Sequence, residues 1–471
     1  MTTALIVAFA VTQTAYLVSY VVDLYFFTRP VDWVDVETAR WVPPEEYPFI
    51  VLLYPVLRES EETMRTTMLG LARLDYPADR YRIIAVPNID DETTIGNLLV
   101  LQSEFAFLEI LPVPATTDPS WQVVWDHWDG NPNAYWWHLG KRAGSRDLPA
   151  KKTRQLTYAF HTLLAAWGHN DYWLLNYIDA DSVPPHDHFL AAAAGIGLQG
   201  YDVLQSTNIA GNLLDSWTAS CCAMDHMAWD GHKYPHLSAG GKHPYWVLGK
   251  GLFFKASDLV ALGGFNPWLT IEDPDIGMRL WMHGKRLGII AEPLVEEVPL
   301  TLRRAIIQRK RWVCGFFQSL GAPTRIIGMS GAARLKAWLN FLPCLLMAVN
   351  PIGLPVGIWA LVMFLSGHSP VPVALLALSG LNIVAYTVSV TFLYVSTWRR
   401  TALVLGSRGA RLWYLVRVNP LVLSVFWLIW VVPLVIGFQM FLRDKGQVWE
   451  RTEKVDANHD LVRHQVGQGA R

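Results

Sequence analysis

The chain has little charge and little cysteine. Only 17% of its 471 residues are charged, against 52% hydrophobic, and mean hydropathy is +0.22. Part of such a chain belongs in lipid. The formal net charge of −1 gives no reason to expect a nucleic-acid partner. The four cysteines, Cys221, Cys222, Cys314 and Cys344, lack metal-ligand spacing, and two are adjacent. They form neither a zinc site nor a disulfide framework, and reduced thiols fit a cytoplasmic central domain. No internal repeat is evident. The first apolar run, residues 4–27, has no basic start and no small-residue cleavage site, so it reads as a retained anchor rather than a signal peptide.

Apolar residues are unevenly spread. Residues 4–27 are long enough for a membrane helix, which needs roughly 20 residues. Further apolar stretches lie at 337–366, 371–395 and 420–442. The expected organisation is an N-terminal anchor at 1–30, a soluble α/β domain at 45–300 and interfacial helices at 301–336. A membrane region at 337–442 and a tail at 443–471 follow. Basic residues set the orientation: Arg399, Arg400, Arg408, Arg411 and Arg417 crowd the 397–417 loop, and none lies in the 367–370 turn. The positive-inside rule then puts the soluble domain and that loop in the cytoplasm. One crossing per stretch would leave the tail outside, against Arg443, Lys445, Arg451 and Lys454. Two devices restore parity: Asn350-Pro351 breaking 337–366 into a hairpin, or Pro433 making 420–442 a re-entrant or interfacial pair. The second is the expectation.

Within the soluble region, Phe49 to Tyr54 reads as a first strand closed by Pro55. Arg82 to Val86 is a second and Phe107 to Val113 a third. Helical spacing marks Glu61 to Leu74, residues 93–103 and Thr153 to Trp167. Tyr172 to Ile178 is a buried strand ending at Asp179-Ala180-Asp181. Alternating strands and helices imply a mostly parallel sheet covered on both faces. Ligands in such sheets sit at the carboxyl ends of strands. Two carboxylates one residue apart suit a divalent cation that also holds a diphosphate. The 114–150 segment carries Trp121, Trp125, Trp128, Trp136 and Trp137 without clear period; an acceptor surface and simple packing both fit it.

Several motifs follow one another in a recognisable order. They are Leu53-Tyr54-Pro55, Leu74-Asp75-Tyr76-Pro77, the Asp90-Asp91 strand end, and Lys152-Thr153-Arg154-Gln155-Leu156-Thr157-Tyr158. Asp179-Ala180-Asp181, Gly249-Lys250-Gly251, Gly263-Gly264-Phe265 and Thr270-Ile271-Glu272-Asp273 come next, then Gln308-Arg309-Lys310-Arg311-Trp312. From about Pro48 to Lys454 the chain resembles membrane-embedded family 2 glycosyltransferases of the cellulose-, chitin- and hyaluronan-synthase type. The resemblance implies a GT-A-type, Rossmann-like nucleotide-sugar domain between transmembrane helices. It implies a nucleotide-sugar donor, a UDP-sugar first of all, and a divalent cation, Mg2+ or Mn2+.

Residue roles are carried over position by position. Asp90 or Asp91 would hold the nucleoside, although Arg58-Glu59 replaces the usual Asn-Glu nearby; a solvated acidic turn is the other reading. Lys152 would approach phosphate oxygens, or simply start a helix. Asp179 would lie by the sugar and ribose, with Asp181 as metal ligand. Gln205 and Asn212 stand where the family has a Gln and an Asn, or satisfy backbone groups. Asp273, beside Glu272, would be general base; acids there also suit a helix N-terminus. Gln308 and Arg311 would bind diphosphate or acceptor, and Trp312 would stack on an acceptor sugar. Trp449, Thr452 and Lys454 resemble a gating loop that closes over the nucleotide; a charged tail is the alternative. One base, one metal and a departing diphosphate describe inversion at the anomeric carbon. The expected product is a growing polysaccharide at the inner membrane face, passed outward with or without accessory export subunits. A single addition to a membrane lipid is the second reading, and a transporter or accessory subunit the third.

Overall fold

The computed structural model describes residues 2–168, 172–322, 328–446, 456 and 458. Its centre is a seven-stranded sheet: β1 (Phe49–Pro55), β2 (Tyr81–Val86), β3 (Leu108–Ile110), β4 (Trp173–Tyr177), β5 (Val203–Ala210), β6 (Leu252–Lys255) and β7 (Leu287–Glu296). The order is β3-β2-β1-β4-β6-β5-β7. All pairs are parallel except those of β6 with β4 and β5. This is the expected GT-A-type, Rossmann-like sheet. β1 and β4 read as continuous apolar runs because helices cover both their faces. Leu53 pairs with Tyr177, so Pro55 and Asp179 leave the sheet at the same carboxyl edge.

Helices of eight residues or more are numbered in chain order. The first seven are α1 (Thr2–Phe27), α2 (Glu61–Leu71), α3 (Glu92–Glu104), α4 (Gln122–Asp129), α5 (Lys152–Trp167), α6 (Trp217–Ala228) and α7 (Asp273–Met282). After them come α8 (Leu302–Gly321), α9 (Gly331–Leu346), α10 (Asn350–Leu365), α11 (Val373–Arg400), α12 (Arg408–Arg417), α13 (Pro420–Ile429) and α14 (Val431–Leu442). The third strand is shorter than the sequence implied, three residues rather than seven. Pro112 and Pro114 follow it and cannot donate to a ladder. The five tryptophans of residues 121–137 are buried in the main core, with Trp121 and Trp125 stacked at 5.4 Å and Trp125 and Trp137 at 5.2 Å. They pack the domain and offer no acceptor surface. Two short helices, α4 and Tyr135–His138, share the segment, which is why no single period runs through it.

Four helical stretches are long and apolar enough to cross a bilayer: Thr2–Phe27, Gly331–Leu365, Val373–Leu403 and Pro420–Leu442. Three of them pack together. Asn382 on α11 donates to Gln13 on α1 at 2.8 and 2.9 Å, and Tyr20 meets Tyr386 at 5.8 Å, so α1 and α11 run parallel. Phe9 packs with Val356 and Ala360, and Gly353 abuts Tyr16, so α10 runs the opposite way. A buried interhelical amide pair of this kind fixes register in a membrane bundle.

The fourth stretch behaves differently. At its start, Arg417 donates to the Leu214 carbonyl at 2.6 Å. At its end, Asp444 pairs with Arg142 at 3.4 Å, and the Gly446 carbonyl accepts from Thr270 at 3.2 Å. Both ends are thus held by the α/β domain. In between, Arg309 lies over the rings of Phe426 and Trp430, Gly437 abuts Lys310 and Val313, and Phe317 stacks on Phe441 at 5.7 Å. α14 therefore runs alongside α8, in the same direction. Hydropathy registers length and apolarity; the contacts at each end give direction, and here both ends meet the same α/β domain. Farther on, Asp456 accepts from Thr66 at 2.7 Å and Asn458 is buried beside Gly211, so these two residues lie against the α/β domain.

Candidate active site

Burial of carboxylates at the sheet's carboxyl edge is the organising feature of the site. One cavity is lined by Asp179, Asp181, Glu272, Asp273, Glu297 and Lys152, and also by Gln308, Arg311 and Trp312. The structure thus brings together residues from β4, α5, α7, α8 and the end of β7 that lie up to 160 positions apart. Lys152 Nζ is 2.5 Å from Asp179 Oδ1 and 3.5 Å from Glu272 Oε1, and it also donates to the Gly249 carbonyl. Burial opposes its charge, but Asp179 and Glu272 outweigh burial and hold its pKa above the ordinary lysine value. Asp181 is almost fully buried, and its Oδ2 accepts from Glu297 N at 3.0 Å.

Glu272 occupies the N-cap position of α7, with Asp273 and Pro274 opening the helix. The Glu272 side chain makes no capping bond and points instead toward Lys152. Burial first, and Glu272 second, push the Asp273 pKa up to about 8, against the pull of Lys152. A carboxylate with a raised pKa suits proton abstraction near neutrality. Gly249 lies tight against this pair: a Cβ there would sit 3.2 Å from Glu272 Oε1 and 3.3 Å from Asp273 Oδ1, so those side chains would have to give by a few tenths of an ångström.

Other sequence candidates fall elsewhere. Asp91 caps α3, accepting from Thr94 N at 3.3 Å and Thr94 Oγ1 at 2.7 Å, and it also accepts from Arg58 N at 2.6 Å. Asp90 is exposed. Neither lines the cavity. Gln205 serves backbone groups, accepting from Leu248 N at 2.6 Å and donating to the Lys250 carbonyl at 2.9 Å. Asn212 likewise pairs both backbone groups of Val298. Trp449, Thr452 and Lys454 lie outside the described residues. The four cysteines are free and buried, as their spacing implied.

Two groups were not legible in the sequence. Among the described residues, His226, Asp230 and Glu296 present three ligand atoms within 4.8 Å of one another, a candidate metal-binding triad on the cavity wall. Lys250 pairs with the same Glu296. Burial would raise the Glu296 pKa, but Lys250 and His226 overcome it and leave it at about 2. Burial raises that of Asp230. The second group is Arg309. It is buried, its Nη2 is 2.7 Å from Asp225 Oδ2, and its guanidinium faces Trp312, Phe426 and Trp430. Trp427 and Trp430 donate to the same Asp225 carboxylate at 3.1 and 2.8 Å.

Residues 174–442, more than half of the chain, match the family described as glycosyl transferase family group 2. The chain belongs to that family. It is 24% identical over 275 residues to the beta-monoglucosyldiacylglycerol synthase of Synechocystis, a match covering 58% of this chain and 48% of that protein. The chain therefore spans about half the length of that curated relative. Among solved structures, it is similar to the mannosyltransferase PcManGT from Pyrobaculum calidifontis in complex with GDP-Man and Mn2+. That match has 16% identity and a TM-score of 0.49, covering 94% of this chain and 99% of the other. It is also similar to S. aureus TarS 1–349 in complex with UDP-GlcNAc, at 11% identity and a TM-score of 0.34, covering 65% and 89%. This chain is thus a family 2 glycosyltransferase with a candidate metal-binding triad and membrane-length helices on both sides of its catalytic domain.

The donor end of the cavity fits a cation by charge alone. Asp179, Asp181, Glu272, Asp273 and Glu297 face Lys152 and Arg311 there, and a divalent ion with a diphosphate compensates the remaining excess. Asp181→Ala is expected to remove cation-dependent donor binding while leaving the fold intact. Titration of Mn2+ with and without UDP checks it; unchanged affinity refutes the metal role.

Proposed function

We propose that this chain transfers a single sugar, with inversion, from a nucleotide-sugar donor to a lipid acceptor at the cytoplasmic face of the membrane. One observation carries this reading. Beyond the acidic end, the cavity continues between Trp246, Phe316, Phe341, Cys344 and Trp430, on or beside the helices that adjoin the membrane region. An apolar chamber in that position suits an acyl chain, whereas a glycan would require hydroxyl partners along its path. The named activity of the Synechocystis relative, on a diacylglycerol lipid, points the same way.

In this scheme Asp273 accepts the proton of the attacking hydroxyl, and Glu272 with Lys152 tunes and orients it. Asp179 and Asp181 would hold Mg2+ or Mn2+, which supplies charge neutralisation to the departing diphosphate. Gln308 and Arg311 face the same end, and Trp312 offers a ring face to the acceptor. Asp90 and Asp91 keep a nucleoside role only if the donor extends past the cavity rim, along β2. Three crossings, by α1, α10 and α11, leave the domain, the 397–417 loop and the tail on one side. The positive-inside rule makes that side cytoplasmic.

Purified protein in membranes would be given radiolabelled UDP- and GDP-sugars, and the products separated into lipid and polymer fractions. Label is expected in the lipid fraction with one sugar per acceptor; label in polymer refutes the reading. A cysteine introduced at Arg471 is expected to resist impermeant maleimide in intact cells; labelling from outside refutes the three-crossing topology.

A further inference from the structure

One polar cluster on the cavity wall has no task in the transfer step. His226 ends α6, Asp230 follows one turn later, Glu296 closes β7 and Lys250 precedes β6. All four line the cavity. His226 Nδ1 lies 3.0 Å from Glu296 Oε1 and 3.4 Å from Asp230 Oδ2. Lys250 pairs with the other Glu296 oxygen, and Asn208 Nδ2 is 3.3 Å from Asp230 Oδ2.

Three observations say what this cluster takes. First, its charge is closed. The carboxylates of Asp230 and Glu296 are matched by the Lys250 ammonium and by the Arg400 guanidinium, which acts on Asp230. The Asp179–Asp181 end keeps five carboxylates against Lys152 and Arg311, a negative excess that calls for a cation; this cluster is already compensated and suits a neutral ligand with hydroxyls. Second, His226 Nε2 is buried without a hydrogen-bond partner, while Nδ1 is anchored on Glu296. A buried polar atom left open in a cavity wall implies a ligand that completes it. The imidazole ring is also 5.7 Å from the Trp312 ring, beside the acceptor platform. Third, the cluster is in register with the base. Gly249 abuts Glu272 and Asp273, and the next residue, Lys250, turns to Glu296. The cluster and the base therefore adjoin on one cavity wall.

We propose that His226, Asp230, Lys250 and Glu296 bind the non-reacting hydroxyls of the acceptor, so that the acceptor is a lipid whose head is a glycosyl group rather than a bare alcohol. This rests on the lipid-acceptor reading above. A site with buried polar groups rejects an analogue lacking the matching hydroxyls far more strongly than an apolar pocket rejects a missing methylene.

Binding is measured on the full chain in nanodiscs, by saturation-transfer NMR, with n-octyl β-glucoside and 1-octanol as probes and no donor present. The wild type is expected to bind the glucoside with contacts to its ring protons. His226→Phe and Glu296→Gln should each weaken that binding by about tenfold to a hundredfold, the worth of one hydrogen bond to a charged network, and leave octanol binding unchanged. Thermal unfolding of each variant controls for folding, and if Glu296→Gln does not fold, His226→Phe decides. Equal binding of the two probes by the wild type overturns the proposal, as does glucoside binding unaffected by His226→Phe. If both variants lose Mn2+ binding by EPR while glucoside binding persists, the cluster is a cation site and the proposal fails. Asp273→Asn separates this from the transfer reading: it should keep glucoside binding whatever becomes of turnover.

Discussion

Asp273→Asn is expected to lower kcat by a factor of about 10²–10⁴, the usual contribution of a general base, with donor affinity unchanged. The substitution keeps the shape of the side chain at the start of α7 and removes only its ability to take a proton. Asp181, Lys152 and the rest of the donor end are untouched, so binding of UDP with Mn2+ should match that of the wild type. The pH profile gives an independent sign. A base works only when deprotonated, and burial with Glu272 raises the Asp273 pKa to about 8. kcat/KM for the acceptor should therefore climb with pH and level off above about 8. Lys152 pulls that pKa down, so Lys152→Met should move the acid limb to higher pH. The same shift acts on stability: the folded pKa lies above the unfolded one, so this stabilisation is present at acid pH and lost as pH rises through about 8. Normal turnover in Asp273→Asn, or a flat acid limb in the wild type, removes the base from Asp273.

How far the sequence carried the reading depended on whether the relevant contacts were local. β1, β2 and β4 were legible because parallel strands buried on both faces are unbroken apolar runs, and Pro55 and Asp179 mark their ends. The convergence of Asp179, Asp181, Glu272, Asp273, Gln308, Arg311 and Trp312 on one cavity followed from motif order. Non-local pairings were not legible. β6 runs antiparallel between two otherwise parallel neighbours, and nothing within Leu252–Lys255 announces that direction. Gln205 and Asn212 hold backbone groups whose partners lie more than 40 residues away. The His226 cluster draws on α6, the 249–251 loop and β7, and its single sequence signal, His226 and Asp230 four apart on one helical face, is too common to single out. The last apolar stretch has the length and hydropathy of a span, and the contacts that hold both its ends to the α/β domain are non-local.

Arg309→Met should be the most destabilising substitution of the Gln308–Trp312 segment. Arg309 sits between two motif residues yet points away from the donor end, against Asp225, 84 positions earlier. Both side chains are only 2% exposed. Removing the guanidinium leaves the Asp225 carboxylate buried with two indole N–H donors and no counter-charge. Breaking a buried ion pair from one side costs about 3–5 kcal/mol, and desolvated cation–π contacts of the kind made with Trp312 and Trp430 add about 2 kcal/mol or more. Because Trp427 and Trp430 donate to the same carboxylate, the loss spreads to the packing of α13 and α14 on α8, and Trp312 loses the cation under its ring. Arg309→Lys keeps the charge but not the planar fork, so an intermediate loss is expected. The double variant Arg309→Met with Asp225→Leu should recover much of the stability, because the penalty lies in the orphaned charge rather than in the lost attraction. Thermal unfolding of the wild type, Arg309→Met, Asp225→Leu and the double variant in one detergent measures this cycle. A double variant no more stable than Arg309→Met would mean that the aromatic packing, and not the ion pair, joins the last helix to the catalytic domain.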